Sequence, residues 1–303
     1  MEEEKKAPLA NMNPALFIVI TLAVVFVTYQ IIGGVISALF TGIEPGVRIK
    51  DIRTFRIVIS FSQFMFLLIP VILLNMLRGD DVKSTFKLHT PDIKMFLLSL
   101  AGILIIQPFL QLYLILQNKI FFSLPFGGET LKRIKDFFDM IEASVMEMVK
   151  SHSVIEFMVV VFVIAVTPAI CEEFLFRGLI FSNMQKFLKV SYAIIFSGIL
   201  FALFHFDPFN LIPLIILGIY ITLTAYYSGS IYTAIAVHFI NNFISAAAVY
   251  FIGEEFASNS SLSTPEEFRQ LIIWGSISLV IFILILITMR KLFKKNKTGL
   301  IAN

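Results

Sequence analysis

The sequence predicts an all-α protein that crosses a membrane about eight times, and three observations carry that prediction. Of 303 residues, 58% are hydrophobic and only 15% are charged, whereas soluble domains run nearer half apolar with about a quarter charged. Apolar runs of about 20 residues, enough to cross a hydrocarbon core, recur along the whole chain. The ionisable residues inside those runs gather in the fourth, fifth and seventh of them, which puts a polar site among spans 4, 5 and 7.

The elements follow in order. The first 13 residues are polar and charged, and the run 14–40 behind them reads as a retained first span, being about twice the length of a signal-peptide core. Runs 54–77 and 95–117 supply the second and third spans. Residues 128–150 then place Leu131, Ile134, Phe137, Phe138, Ile141, Val145, Met148 and Val149 at helical steps with charged residues between them. That pattern predicts an amphipathic helix on the membrane interface, serving as a connector or a substrate guide. The fourth run, 154–183, exceeds what a bilayer needs and so tilts or projects. Runs 190–206, 211–228, 230–252 and 270–290 complete the eight, with short turn-forming links at Asp207–Asn210 and Ser228–Ser230.

Three parts result: 1–150 with three spans and the interfacial helix, 151–252 with all the ionisable clusters, and 253–303 with a polar loop, the last span and a basic tail. The polar loop contains a formal glycosylation triplet, Asn259-Ser260-Ser261, too common a pattern to carry weight. The single cysteine, Cys171, excludes an intramolecular disulfide and a Cys-only metal site. The carboxylates beside it disfavour a thiolate nucleophile. Arg290, Lys291, Lys294, Lys295 and Lys297 place the C-terminus in the cytoplasm. An even number of spans puts the N-terminus there too.

Charge within a span costs a few kcal/mol per residue on insertion scales and is kept where a pathway, partner or reaction needs it. Glu173 and Arg177 are four apart, acid before base, so they stack on one helix face. Glu172 points about 100° away and is left for another task, such as a general base. If spans 4 and 5 fold back near Lys186–Lys189, Glu172 and His205 lie at depths matching to about one helical turn. His238 and Asn242, also four apart, share a face of span 7 and offer N–H donors suited to a developing oxyanion. Phe201, one turn before His205, packs on the imidazole or lines the pocket. Gln63, Gln107, Gln111, Thr222, Thr224 and Asn241 read as hydrogen-bonders between helices, with Asn241 a bystander beside Asn242.

The ordered strings Glu172-Glu173-x-x-x-Arg177, Phe201-x-x-x-His205 and His238-x-x-x-Asn242 resemble the CPBP family of intramembrane proteases. That family includes CAAX prenyl endopeptidases and the bacterial Abi proteins. The resemblance covers about residues 154–250. It implies that Glu172 and His205 activate water, that His238 and Asn242 stabilise the oxyanion, and that Glu173, Arg177 and Phe201 support them. It also implies an endopeptidase acting on a prenylated peptide or other membrane-associated substrate. The expected partners are that substrate and the lipid bilayer, with no nucleic acid, and the expected setting is a bacterial plasma membrane.

A zinc ion held by Glu172, His205 and His238 is the alternative to metal-free chemistry. It is the less favoured one: no His-Glu-x-x-His helix is present, and zinc would take the base and one oxyanion donor. Two other functions compete with proteolysis: a proton- or ion-coupled transporter using the same residues as a relay, and a non-catalytic immunity or scaffold protein.

Overall fold

The computed structural model describes residues 7–44, 48–123, 128–253 and 264–301, so the Asn259-Ser260-Ser261 triplet lies outside the described residues. The long helices are α1 (Pro14–Thr41), α2 (Ile52–Arg78), α4 (Ile93–Ser123), α5 (Gly128–Val149), α6 (Val154–Met184), α8 (Leu211–Ser228), α9 (Ile231–Phe251) and α10 (Pro265–Ile301). Two shorter ones, α3 (Val82–Thr85) and α7 (Val190–Leu203), lie between them. A two-residue antiparallel ribbon, β1 (Ile43–Glu44) with β2 (Arg48–Ile49), joins α1 to α2.

Local signals set the helix ends. Asn13 accepts from the N–H groups of Ala15 and Leu16 ahead of Pro14. Asp51, Ser153 and Ser230 cap α2, α6 and α9 in the same way. Gly79 and Gly229 end α2 and α8 in the left-handed region, at φ 77° and 65°.

Among the described residues seven helices are long and apolar enough to cross a membrane. The fifth apolar run is different: α7 has 14 residues, about 21 Å of helix against a hydrocarbon core of about 30 Å. Helix α7 is therefore shorter than the hydrocarbon core is thick, and the turn that carries His205 follows directly on its end. The chain leaves α7 through Phe206 at φ 52°, a left-handed conformation that costs a non-glycine residue about 1–3 kcal/mol.

Burial is inverted relative to a soluble protein. Leu39, Phe40, Ile155 and Phe251 are more than 70% exposed, whereas Glu173, Arg177, Ser197, Thr222 and Asn75 are at most 1% exposed. Lipid solvates the first set, and only protein partners can satisfy the second. One apolar core joins α1, α2, α6 and α7, and a second joins α4, α8, α9 and α10. The 79–92 loop straps the first core together. Phe86 fills the space over Gly178 and meets Phe174 at 4.9 Å, and Ser182 donates to the Thr85 carbonyl. The Ile231 N–H donates to the carbonyl of Lys87, whose ammonium lies 4.2 Å over Phe181 and is pushed by burial down to about 8.

The amphipathic segment forms α5. The Arg56 guanidinium holds the C-terminal end of this helix by donating to the carbonyls of Met148 and Lys150. Midway along it, Phe138 meets Phe209 of the His205 turn edge-on at 5.7 Å.

Helices α7 and α8 cross in backbone contact. A Cβ on Gly198 would lie 2.5 Å from the Ile219 nitrogen, and one on Gly218 would lie 2.7 Å from the Gly198 carbonyl oxygen. Gly198→Ala is expected to cost roughly 1–3 kcal/mol through overpacking, read as a lowered unfolding midpoint. An unchanged midpoint would mean that the crossing can open freely.

Candidate functional site

Two linked clusters form where α6, α7, α8 and α9 meet. At the centre of the first, Glu173 Oε1 accepts from Arg177 Nη1 at 2.7 Å and from His238 Nδ1 at 2.8 Å, all three side chains being at most 4% exposed. The same guanidinium donates from Nε to Thr222 Oγ1 (3.2 Å) and from Nη2 to the Gly218 carbonyl (2.9 Å). Its planar fork thus ties α6 to α8 while satisfying a buried carboxylate. Because a carboxylate accepts, His238 donates from Nδ1, and its Nε2 carries an N–H only when the ring is doubly protonated.

The second cluster is Glu172 with His205. His205 Nδ1 lies 2.8 Å from the Phe201 carbonyl, one turn back along the chain. A carbonyl only accepts, so this bond places the ring proton on Nδ1 and the lone pair of the neutral ring on Nε2. That Nε2 lies 3.8 Å from Glu172 Oε2, a buried atom with no hydrogen-bond partner among the described residues. The gap is too wide for a direct hydrogen bond. The Glu172 and His205 side chains are 12% and 30% exposed, the most open of the site's charged groups.

Phe201 joins the two clusters. Its ring lies 4.6 Å from that of His205, 5.6 Å edge-on from that of His238, and 4.5 Å beneath the Arg177 guanidinium. Its carbonyl orients one imidazole while its ring contacts both.

Asn242 sits one turn beyond His238 on α9. Its Nδ2 donates to the Ile164 carbonyl at 3.0 Å, and its Oδ1 accepts from Asn241 at 3.1 Å. The Ile164 carbonyl is available because Pro168, four residues on, has no N–H to close the helical bond. Helix α6 is π-helical over Phe162–Val166 there and again over Phe174–Ile180 around Arg177, a distortion that recurs at functional sites.

The fold therefore brings Glu172 to His205, and Glu173 to Arg177 and His238, with Phe201 packed between them. Asn242 lies on the His238 face without a hydrogen bond to any of those residues. Glu172, His205 and His238 do not gather as a ligand trio: among the described residues no three His, Cys, Asp or Glu side chains form a group able to hold a metal ion.

Sequence reasoning missed Tyr29, from a π-helical stretch of α1. Its ring stacks on Phe204 at 6.5 Å, and its hydroxyl accepts from Gln63 Nε2 at 3.1 Å. Asn241 bonds Gln107 of α4 across helices, as its reading as an interhelical hydrogen-bonder expects, and also donates to the Asn242 amide. No local spacing flags Tyr29. The adjacency of two asparagines is the one signal for the bond between them.

The described residues form a predominantly helical, multi-pass membrane protein with carboxylate–imidazole pairs among its helices. Residues 154–244 match the family model described as Rce1-like, type II CAAX prenyl endopeptidase Rce1-like. The match covers under a third of the chain but includes every motif residue of the two clusters and Asn242. It assigns this segment to the CPBP, or CAAX-protease, family of membrane hydrolases. No curated protein and no solved structure matches the chain.

Proposed function

We propose that the protein is an intramembrane endopeptidase in which Glu172 and His205 together activate one water against a peptide bond. The observation that carries this reading is the 3.8 Å separation of Glu172 Oε2 and His205 Nε2. Both are acceptors, and neither atom has a hydrogen bond to another group among the described residues. A water donating one O–H to each satisfies both at ordinary hydrogen-bond lengths, which leaves an oxygen lone pair for the substrate carbonyl carbon.

As the C–O bond forms, Glu172 takes the water proton and the carbonyl electrons move onto oxygen. His205 holds the second water hydrogen and so fixes the direction of attack. The Asn242 Nδ2 hydrogen not given to Ile164 donates to the oxyanion. His238 joins it from Nε2 in its doubly protonated form, with Glu173 as counter-ion. Collapse breaks the C–N bond, and the proton on Glu172 passes to the leaving nitrogen. The water is activated here without zinc.

The substrate is a membrane-associated peptide. A prenylated C-terminal peptide is the first to test, because the matched family carries that description. The protein resides in a bacterial plasma membrane with its basic tail in the cytoplasm, and the short α7 lets a deeply set His205 meet substrate within the bilayer.

The test uses purified protein in lipid nanodiscs with a fluorogenic farnesylated peptide ending in a CAAX sequence. Cleavage by the wild type, its loss in Glu172→Ala, and insensitivity to EDTA are expected. Loss of activity in EDTA with recovery on adding zinc would make the glutamate and imidazoles metal ligands instead. If that peptide is not cut, membrane-peptide profiles of cells carrying wild type or Glu172→Ala decide the matter, and identical profiles would end the protease reading.

A further inference from the structure

We infer that Gln107 and Asn241 are positioning residues, forming with Asn242 a directional relay of amides that aims the Asn242 donor. This rests on the proposed role of Asn242 at the oxyanion, and it adds a contribution from α4, which lies outside the matched segment.

The relay begins on α4, where Gln107 Nε2 donates both to the Ile103 carbonyl at 3.0 Å and to Asn241 Oδ1 at 3.1 Å. Asn241 Nδ2 then donates to Asn242 Oδ1 at 3.1 Å, and Asn242 Nδ2 donates to the Ile164 carbonyl at 3.0 Å. Every link has one donor and one acceptor, and both ends terminate on backbone carbonyls. Reversing the Asn242 amide would set its oxygen against the Ile164 carbonyl and its nitrogen against the Asn241 nitrogen. Reversing Asn241 would create the same conflicts with Gln107 and Asn242. The two carbonyls therefore impose one sense on the whole chain.

The Asn242 end is anchored because Pro168 cannot bond the Ile164 carbonyl. The amide group has two N–H bonds, and the one not used on Ile164 is held in a fixed direction. An oxyanion donor acts by being oriented before the charge develops. An asparagine free to flip would present its oxygen part of the time and repel that charge. Gln107, on another helix and two amides away, stops the flip without touching substrate.

The test is a double-variant cycle with the nanodisc-reconstituted protein and the farnesylated CAAX peptide. Gln107→Met is expected to lower kcat about tenfold with KM unchanged, because small misplacement of a catalytic group can cost up to about 100-fold. In an Asn242→Ala background the same substitution should cost no further activity, since Gln107 acts only through Asn242. Equal slowing in both backgrounds would make Gln107 a scaffold residue and overturn the inference.

A second cycle needs no activity and separates this inference from the protease reading. The Tm shifts of Gln107→Met and Asn242→Ala should be non-additive when Asn241 is present and additive in Asn241→Leu. Simple additivity in both backgrounds would dissolve the relay, even if the wild type cleaves peptide.

Discussion

Glu172→Gln is expected to lower peptide cleavage by about 10²- to 10⁴-fold, the usual weight of a positioned general base, without lowering the unfolding midpoint. The two halves of that result have one cause. Glu172 Oε2 is buried and has no protein hydrogen-bond partner among the described residues, so a neutral amide of the same shape breaks no hydrogen bond at that atom and removes a charge from a low-dielectric site. A residue that weakens the fold while serving the reaction is what a stability–activity trade-off looks like. Parallel measurement of cleavage and thermal unfolding reads both. If the midpoint fell along with the rate, Glu172 would belong to the scaffold.

Arg177→Met is expected to show the opposite balance, destabilising the protein by about 3–5 kcal/mol, the cost of breaking a buried ion pair by removing one partner. The guanidinium holds Glu173, Thr222 and the Gly218 carbonyl and lies over the Phe201 ring. Its loss leaves a buried carboxylate whose one remaining partner among the described residues is His238. Adding Glu173→Gln should therefore recover part of the stability, because the stranded charge is then gone. Denaturant unfolding of the single and double variants measures this. A double variant no more stable than Arg177→Met would show that packing, not charge, holds the site.

The contrast between these residues explains which parts of the molecule could be read from sequence. Glu173 and Arg177 are neighbours on one helix, and their spacing encodes their contact. Glu172 and His205 belong to consecutive helices joined by a short turn, so counting rises from Lys186–Lys189 brings them level. His238 and Asn242 share a face as their spacing requires, but the spacing says nothing of what that face meets. His238 turned out to donate to Glu173, and Asn242 to a carbonyl freed by Pro168.

Tyr29, Gln63 and Gln107 reach the site from α1, α2 and α4, far away along the chain. Their register against α6 and α9 is a property of tertiary packing, and a lone glutamine in an apolar helix looks the same whether it holds two helices together or orients a donor. The eight apolar runs were legible as runs. That α7 stops at 14 residues, turning at Phe206 in a left-handed conformation, was not. Asp207 opens the turn-forming link, but nothing in Phe204–Phe206 marks the earlier end at Leu203.

The most direct test of the central claim, that Glu172 and His205 act on one water, is the cleavage rate of the double variant Glu172→Gln/His205→Gln against each single variant. Groups acting as a unit are strongly non-additive. The account predicts that the double variant cuts the farnesylated peptide no more slowly than the slower single variant. A double variant slowed by the product of the two single effects would mean that the carboxylate and the imidazole work independently, and would contradict it.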